Sequence, residues 1–122
     1  MGEPAGSIYL SLQRVASVTI LHAHGLVTPA SADTLRERIS NVIDHGARRI
    51  VVDVEHLEIV DTAGIRELLA CERLARLSRG RLVLGAVPQD VVDVLRENGV
   101  HRVLHCFRTV AGAVEQLRKE AV

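Results

Sequence analysis

Ile8, Leu10 and Leu12 alternate with polar neighbours, and an extended pattern resumes over Val18 to His24 after a short connection at Arg14 to Ser17. Two alternating runs this close together read as a β-hairpin. Thr28 is placed to cap a helix that has Pro29 at its first position, and Ala32, Leu35, Ile39, Val42 and Ile43 then recur at helical spacing until Gly46. Arg49 leads into Ile50-Val51-Val52-Asp53-Val54, a β-branched run apolar on both faces except at Asp53, the pattern of a central strand covered on one or both sides. After Ile59-Val60-Asp61-Thr62-Ala63-Gly64, the residues Ile65, Leu68, Leu69, Ala75 and Leu77 predict a second helix that ends near Gly80. Arg81 to Val87 reads as a strand, Gln89 to Glu97 as a short helix stopped by Asn98-Gly99, Arg102 to Phe107 as a last strand and Val110 to Glu120 as a last helix.

The predicted order is therefore β-β-α-β-α-β-α-β-α. Strands that alternate with helices imply right-handed parallel crossovers. The fold class is α/β: a mixed sheet in which an N-terminal antiparallel hairpin feeds a parallel core, with helices covering one face. The expected core includes Leu35, Ile39, Ile50, Val52, Leu68, Leu69, Val83, Leu95 and Leu117. No repeat or low-complexity tract interrupts the pattern, so residues 1–122 read as one domain, with residues 1–7 a flexible N-terminus.

Composition narrows the chemistry. Fifteen basic residues balance fifteen acidic ones, which leaves no chain-wide electrostatic footprint for nucleic acid or an anionic membrane. Tyr9 and Phe107 are the only aromatic residues besides histidine, too few for base-stacking platforms or aromatic cages. Lys119 is the sole lysine, poorly placed for Schiff-base or P-loop chemistry. Residues 1–7 lack the basic start and apolar core of a secretory signal, and no apolar run approaches the roughly 18 to 20 residues that span a bilayer. The expectation is a soluble protein of the reducing cytoplasm.

Asp61-Thr62-Ala63-Gly64 is the informative stretch. Asp61 suits an N-cap that accepts from the N–H groups of Ala63 or Gly64, which puts Thr62 at the helix mouth, with Gly64 leaving the surface open to another protein. A phosphate on Thr62 would meet free N–H groups and the positive end of the helix dipole, so the domain could carry it while the docking surface gained close to two negative charges. Ordinary helix capping explains the same residues without any switch.

Taken with the element order, this motif resembles the STAS domain of bacterial anti-sigma factor antagonists. The strand Ile50 to Val54, a spacer, Asp61-Thr62-Ala63-Gly64 and an apolar helix look like the family's Asp-Ser-Ser/Thr-Gly signature, and Glu97-Asn98-Gly99-Val100 looks like its later turn. The resemblance implies a non-enzymatic protein-binding module, with no cofactor and no metal. It also implies phosphorylation at Thr62 by an anti-sigma factor of the serine/threonine-kinase type, with a phosphatase as a further partner and a homodimer left open. The differences from the family are specific: Thr62 replaces the usual Ser, Ala63 replaces the second hydroxyl, and Gly25-Leu26-Val27-Thr28 lacks the acids that relatives carry there. Thr28 and Arg66 are the candidate partner contacts, Arg66 as a cation on the first helical turn that either pairs with phosphate or acid or stands solvated. The alternative within the family is a stressosome-like or other constitutive STAS scaffold.

Other chemistries fit less well. An aspartic protease needs paired Asp-Thr-Gly loops in an all-β dimer, whereas here a helix follows and Ala63 displaces the glycine. A phospho-receiver needs an acidic pair after its first strand, where this chain has Gln13-Arg14-Val15. His22 and His24 share one strand face but find no convincing further metal ligand. Cys71 and Cys106 read as small buried hydrophobes, and they could form a redox pair only if their Cα atoms lie within about 7 Å.

Overall fold

The computed structural model describes residues 8–59 and 62–120. Strand β1 (Ile8–Val15) turns at Ala16 and Ser17 into β2 (Val18–Val27), and the two pair antiparallel from Ile8↔Gly25 to Val15↔Val18. Helix α1 (Pro29–Asp44) returns the chain to β3 (Arg49–Ile59), and α2 (Thr62–Leu77) returns it to β4 (Arg81–Gly85). Both crossovers are parallel, and the sheet order is β1-β2-β3-β4. Helix α3 (Gln89–Glu97), a 3₁₀ turn (Val100–Arg102) and α4 (Val110–Glu120) follow.

Local chemistry sets the ends of α1. The Ser31 N–H donates to Thr28 Oγ1 at 3.1 Å while the Thr28 N–H donates to Ser31 Oγ at 2.9 Å, a reciprocal capping box with Pro29 at the first helical position. Ser31 Oγ donates onward to the Leu26 carbonyl at 2.6 Å, tying the helix start to the end of β2. Beyond the helix, Gly46 takes φ +97°, a left-handed conformation that glycine enters without steric cost.

Side chains alternate across the sheet, and each face has its own core. Leu21, Ile50, Val52, Leu82 and Leu84 point to the face covered by α1 and α2, where Leu35, Ile39, Leu68 and Leu95 join them. Val18, Ile20, Val51 and Val83 point the other way and meet Ala113, Val114 and Leu117 of α4. The α/β class and mixed sheet are as the sequence implies, but coverage of a single face needs correction in one respect: α4 lies on the opposite face from α1 and α2. The reason is that β3 is apolar on both sides, so each side needs a partner. Among the expected core residues, Leu69 is half-buried at the margin and the others are buried.

The predicted strand over Arg102 to Phe107 is a second correction. Gly99 at φ +71° opens the 3₁₀ turn, which uses up the start of the segment. What remains is one parallel bridge, Leu84↔Cys106, in which the Leu84 N–H donates to the His105 carbonyl and the Phe107 N–H donates to the Leu84 carbonyl, both at 2.9 Å.

Candidate functional site

Thr62 is the first residue of α2, directly beyond the carboxyl end of central strand β3, and it is exposed. Its sequence partner Asp61, expected as the N-cap, lies outside the described residues. Ala63 is half-buried and Gly64 is buried in the first turn. Gly64 is therefore not the open surface that the sequence reading expects. It is buried in the first turn of α2 along with Ile65, and Leu68 follows one turn on. Arg66 is exposed and makes no ion pair among the described residues.

Behind this exposed rim α2 is fixed to α1. Glu67 Oε2 lies 3.4 Å from Arg36 Nε, and Arg36 also pairs with Asp33 on its own helix. Thr28 opens α1, but its hydroxyl is engaged in the capping box, so its evident role is to start the helix.

The cysteines are both free thiols. Cys71 is fully buried in α2, and desolvation, reinforced by the neighbouring Glu67 charge and opposed by Arg36, pushes its pKa up to about 12. Burial alone pushes Cys106 up to about 11, and its Sγ donates weakly to the Leu104 carbonyl at 3.5 Å. Burial thus favours the protonated thiol at both positions.

His22 and His24 have separate partners. His22 Nδ1 bonds Asp53 Oδ2 at 2.7 Å and its Nε2 meets Gln13 Oε1 at 2.8 Å, while the His24 ring stacks on Tyr9 with centroids 4.9 Å apart. Sequence reasoning missed this three-strand relay, although Asp53, the one acid within the apolar run Ile50 to Val54, was the available signal. Among the described residues no group of three or more His, Cys, Asp or Glu side chains could hold a metal ion, and no helix is long and apolar enough to cross a membrane.

The chain thus combines an exposed hydroxyl at the mouth of the helix after β3 with a hairpin-led mixed sheet, and the STAS domain family model matches its residues 9–113. The chain belongs to the STAS domain family. Among curated proteins it is similar to BtrV of Bordetella bronchiseptica, named as a candidate anti-sigma factor antagonist, with 29% identity over 90 residues, covering 74% of this chain and 78% of BtrV. Among solved structures this STAS domain shares its fold with the anti-sigma factor antagonist SpoIIAA in its unphosphorylated form, at TM-score 0.72 and 22% identity over 91% of this chain and 97% of the other. It matches phosphorylated SpoIIAA, a Bacillus cell fate determinant, at TM-score 0.66 and 21% identity over 89% and 99% of the two chains.

Proposed function

We propose that this STAS domain is an anti-sigma factor antagonist whose binding is switched at Thr62. Unmodified, it binds an anti-sigma factor of the serine/threonine-kinase type and so frees a sigma factor. The kinase transfers the γ-phosphoryl group of ATP to Thr62 Oγ1: the new P–O bond forms as the bond to ADP breaks, and the hydroxyl proton is lost to a base of the kinase. Close to two added negative charges and the bulk of the phosphate then weaken the complex, and a phosphatase restores it. The working unit is the whole chain acting as one domain, and it performs no catalysis itself.

The observation that carries this reading is the exposure of Thr62 at the first position of α2. There a phosphate can be accommodated by the helix dipole without disturbing the core. The similarity to BtrV and the existence of SpoIIAA in two phosphorylation states support the reading. The test is incubation with the cognate kinase and ATP, followed by site mapping and size-exclusion of the complex. Phosphate on Thr62 and loss of a small complex is the expected result. Phosphate on Ser78 or Thr109 with Thr62 unmodified overturns the switch, and so would phosphate on Ser31, a residue only 4% exposed and engaged in the capping box. No phosphate anywhere, with a large assembly on the column, would favour the constitutive scaffold.

A further inference from the structure

We propose that the far end of the sheet from Thr62 carries a binding groove for a small oxyanion of the phosphate class borne on a compact apolar group. The β1–β2 turn and the connection from α1 to β3 border a half-open hollow of about 320 Å³, and Arg14, Arg48 and Arg49 all line it together with His45. A second hollow of about 270 Å³ shares Arg14, Thr19 and His45 with the first and continues onto Leu12 and Val42. One end of the combined groove is cationic and the other is apolar.

The charge balance of the groove is one-sided. Among the described residues no carboxylate lines either hollow, although the chain as a whole is neutral. None of the three arginines forms an ion pair among the described residues, whereas Arg36, Arg76, Arg81 and Arg118 all do. Asp44, the nearest acid in sequence, is exposed and lines neither hollow. Arg48 is held in place: its Nη1 donates to the Ile43 carbonyl at 3.0 Å and the Ala47 carbonyl at 2.8 Å. It thereby offsets the negative end of the α1 dipole, which would otherwise repel an anion. His45 is oriented by the bond from Nδ1 to the Asn41 carbonyl at 2.8 Å. Like charges gathered in a concave site lower their repulsion by taking up a counter-ion, and guanidinium groups match phosphate oxygens in pairs.

The apolar end sets the rest of the ligand. Leu12 is 48% exposed on the edge strand, one of few large hydrophobic side chains left so open. A ligand that covered it would remove apolar surface from water at the same time as it met the arginines. Volumes near 300 Å³ lie at the small end of ligand sites, which limits the apolar group to about the size of a single ring or short alkyl chain. The groove lies at the opposite end of α1 from Thr28 and is separate from the Thr62 motif, so it stands independently of the switch.

The test is a titration of the ¹⁵N-labelled protein with phenyl phosphate, and in parallel with inorganic phosphate, read from backbone amide shifts. Saturable shifts confined to the residues around Arg14, Ser17, His45 and Gly46 are expected, with phenyl phosphate at least about tenfold tighter than inorganic phosphate. Arg14→Gln, at an exposed position, should weaken both probes by about tenfold, while Leu12→Ser should remove the preference for phenyl phosphate and leave inorganic phosphate unaffected. Thermal melting of each variant separates lost binding from lost folding. No saturable shift up to about 10 mM of either probe overturns the proposal. So does affinity unchanged in folded Arg14→Gln, and equal affinity for the two probes overturns the apolar half of the groove.

Discussion

His22 on β2 and Asp53 on β3 are Cα partners across the parallel pair, and their side chains meet at 2.7 Å on the sheet face that α4 only partly covers. Asp53 also accepts from the Glu55 N–H at 3.1 Å, so one carboxylate serves two donors. Asp53→Ala leaves both without an acceptor and is expected to cost about 1 to 3 kcal/mol, whereas Asp53→Asn keeps an acceptor and costs about 1 kcal/mol or less. Urea denaturation of the single and double alanine variants at His22 and Asp53 gives the coupling directly. A cycle additive to within about 0.3 kcal/mol would mean that the pair contributes nothing of its own.

Substitution at Thr62 should separate binding from folding. Because Thr62 is exposed, Thr62→Ala is expected to change stability by less than about 0.5 kcal/mol. Thr62→Glu adds an acid to the first turn of α2, where the dipole favours it by about 0.3 to 1 kcal/mol. Thermal melts that stay near the parent, with partner binding kept by the alanine and weakened by the glutamate, are the predicted pattern. A glutamate variant that melts far below the parent would show that the site does not tolerate charge.

Packing of α4 against the second face makes Leu117 a core residue. Leu117 is fully buried, while Leu77 at the end of α2 is 72% exposed. Leu117→Ala is expected to cost about 2 to 5 kcal/mol, the usual range for a buried leucine, and Leu77→Ala less than about 0.5 kcal/mol. Denaturant midpoints of the two variants provide the comparison, and equal effects would contradict the two-faced core.

Cys71 should make the protein sensitive to alkali. Its folded pKa is pushed up to about 12 from an ordinary value of 9.0, so above that ordinary value the unfolded chain releases the thiol proton while the folded chain retains it. Stability therefore falls as pH rises through this window, by up to about 1.4 kcal/mol per pH unit, and is unaffected by this group at lower pH. Cys71→Ala should flatten the decline. Unfolding free energies of parent and variant at about pH 8 and about pH 10.5 test this, and parallel slopes would rule the effect out.

The legible parts of the site were those written in local chemistry. Thr28, Pro29 and Ser31 specify the start of α1 by bonds that close within three residues, and Thr62 could be placed at a helix mouth because a strand pattern gives way to a helix pattern there. The burial of Gly64 was not legible, since a glycine reads alike on a surface and in a packed turn. Arg14 and Arg48 come from segments far apart in sequence and share a hollow only once β1 and β3 enter the same sheet.

By itself the sequence determined the alternation of strands and helices, the hairpin and the mixed parallel core, because periodicity and turn residues act over a few positions. Only the tertiary structure decided which face each helix covers. An apolar stripe makes α4 seek a sheet, but it does not distinguish the side lined by Ile50 and Val52 from the side lined by Val51, so the choice rests on where the chain leaves β4 and which face is still bare. The same holds for the segment Arg102 to Phe107. Its pattern permits a strand, but a strand exists only where a neighbour offers a matching edge, and here the turn after Gly99 leaves Cys106 alone to bridge Leu84.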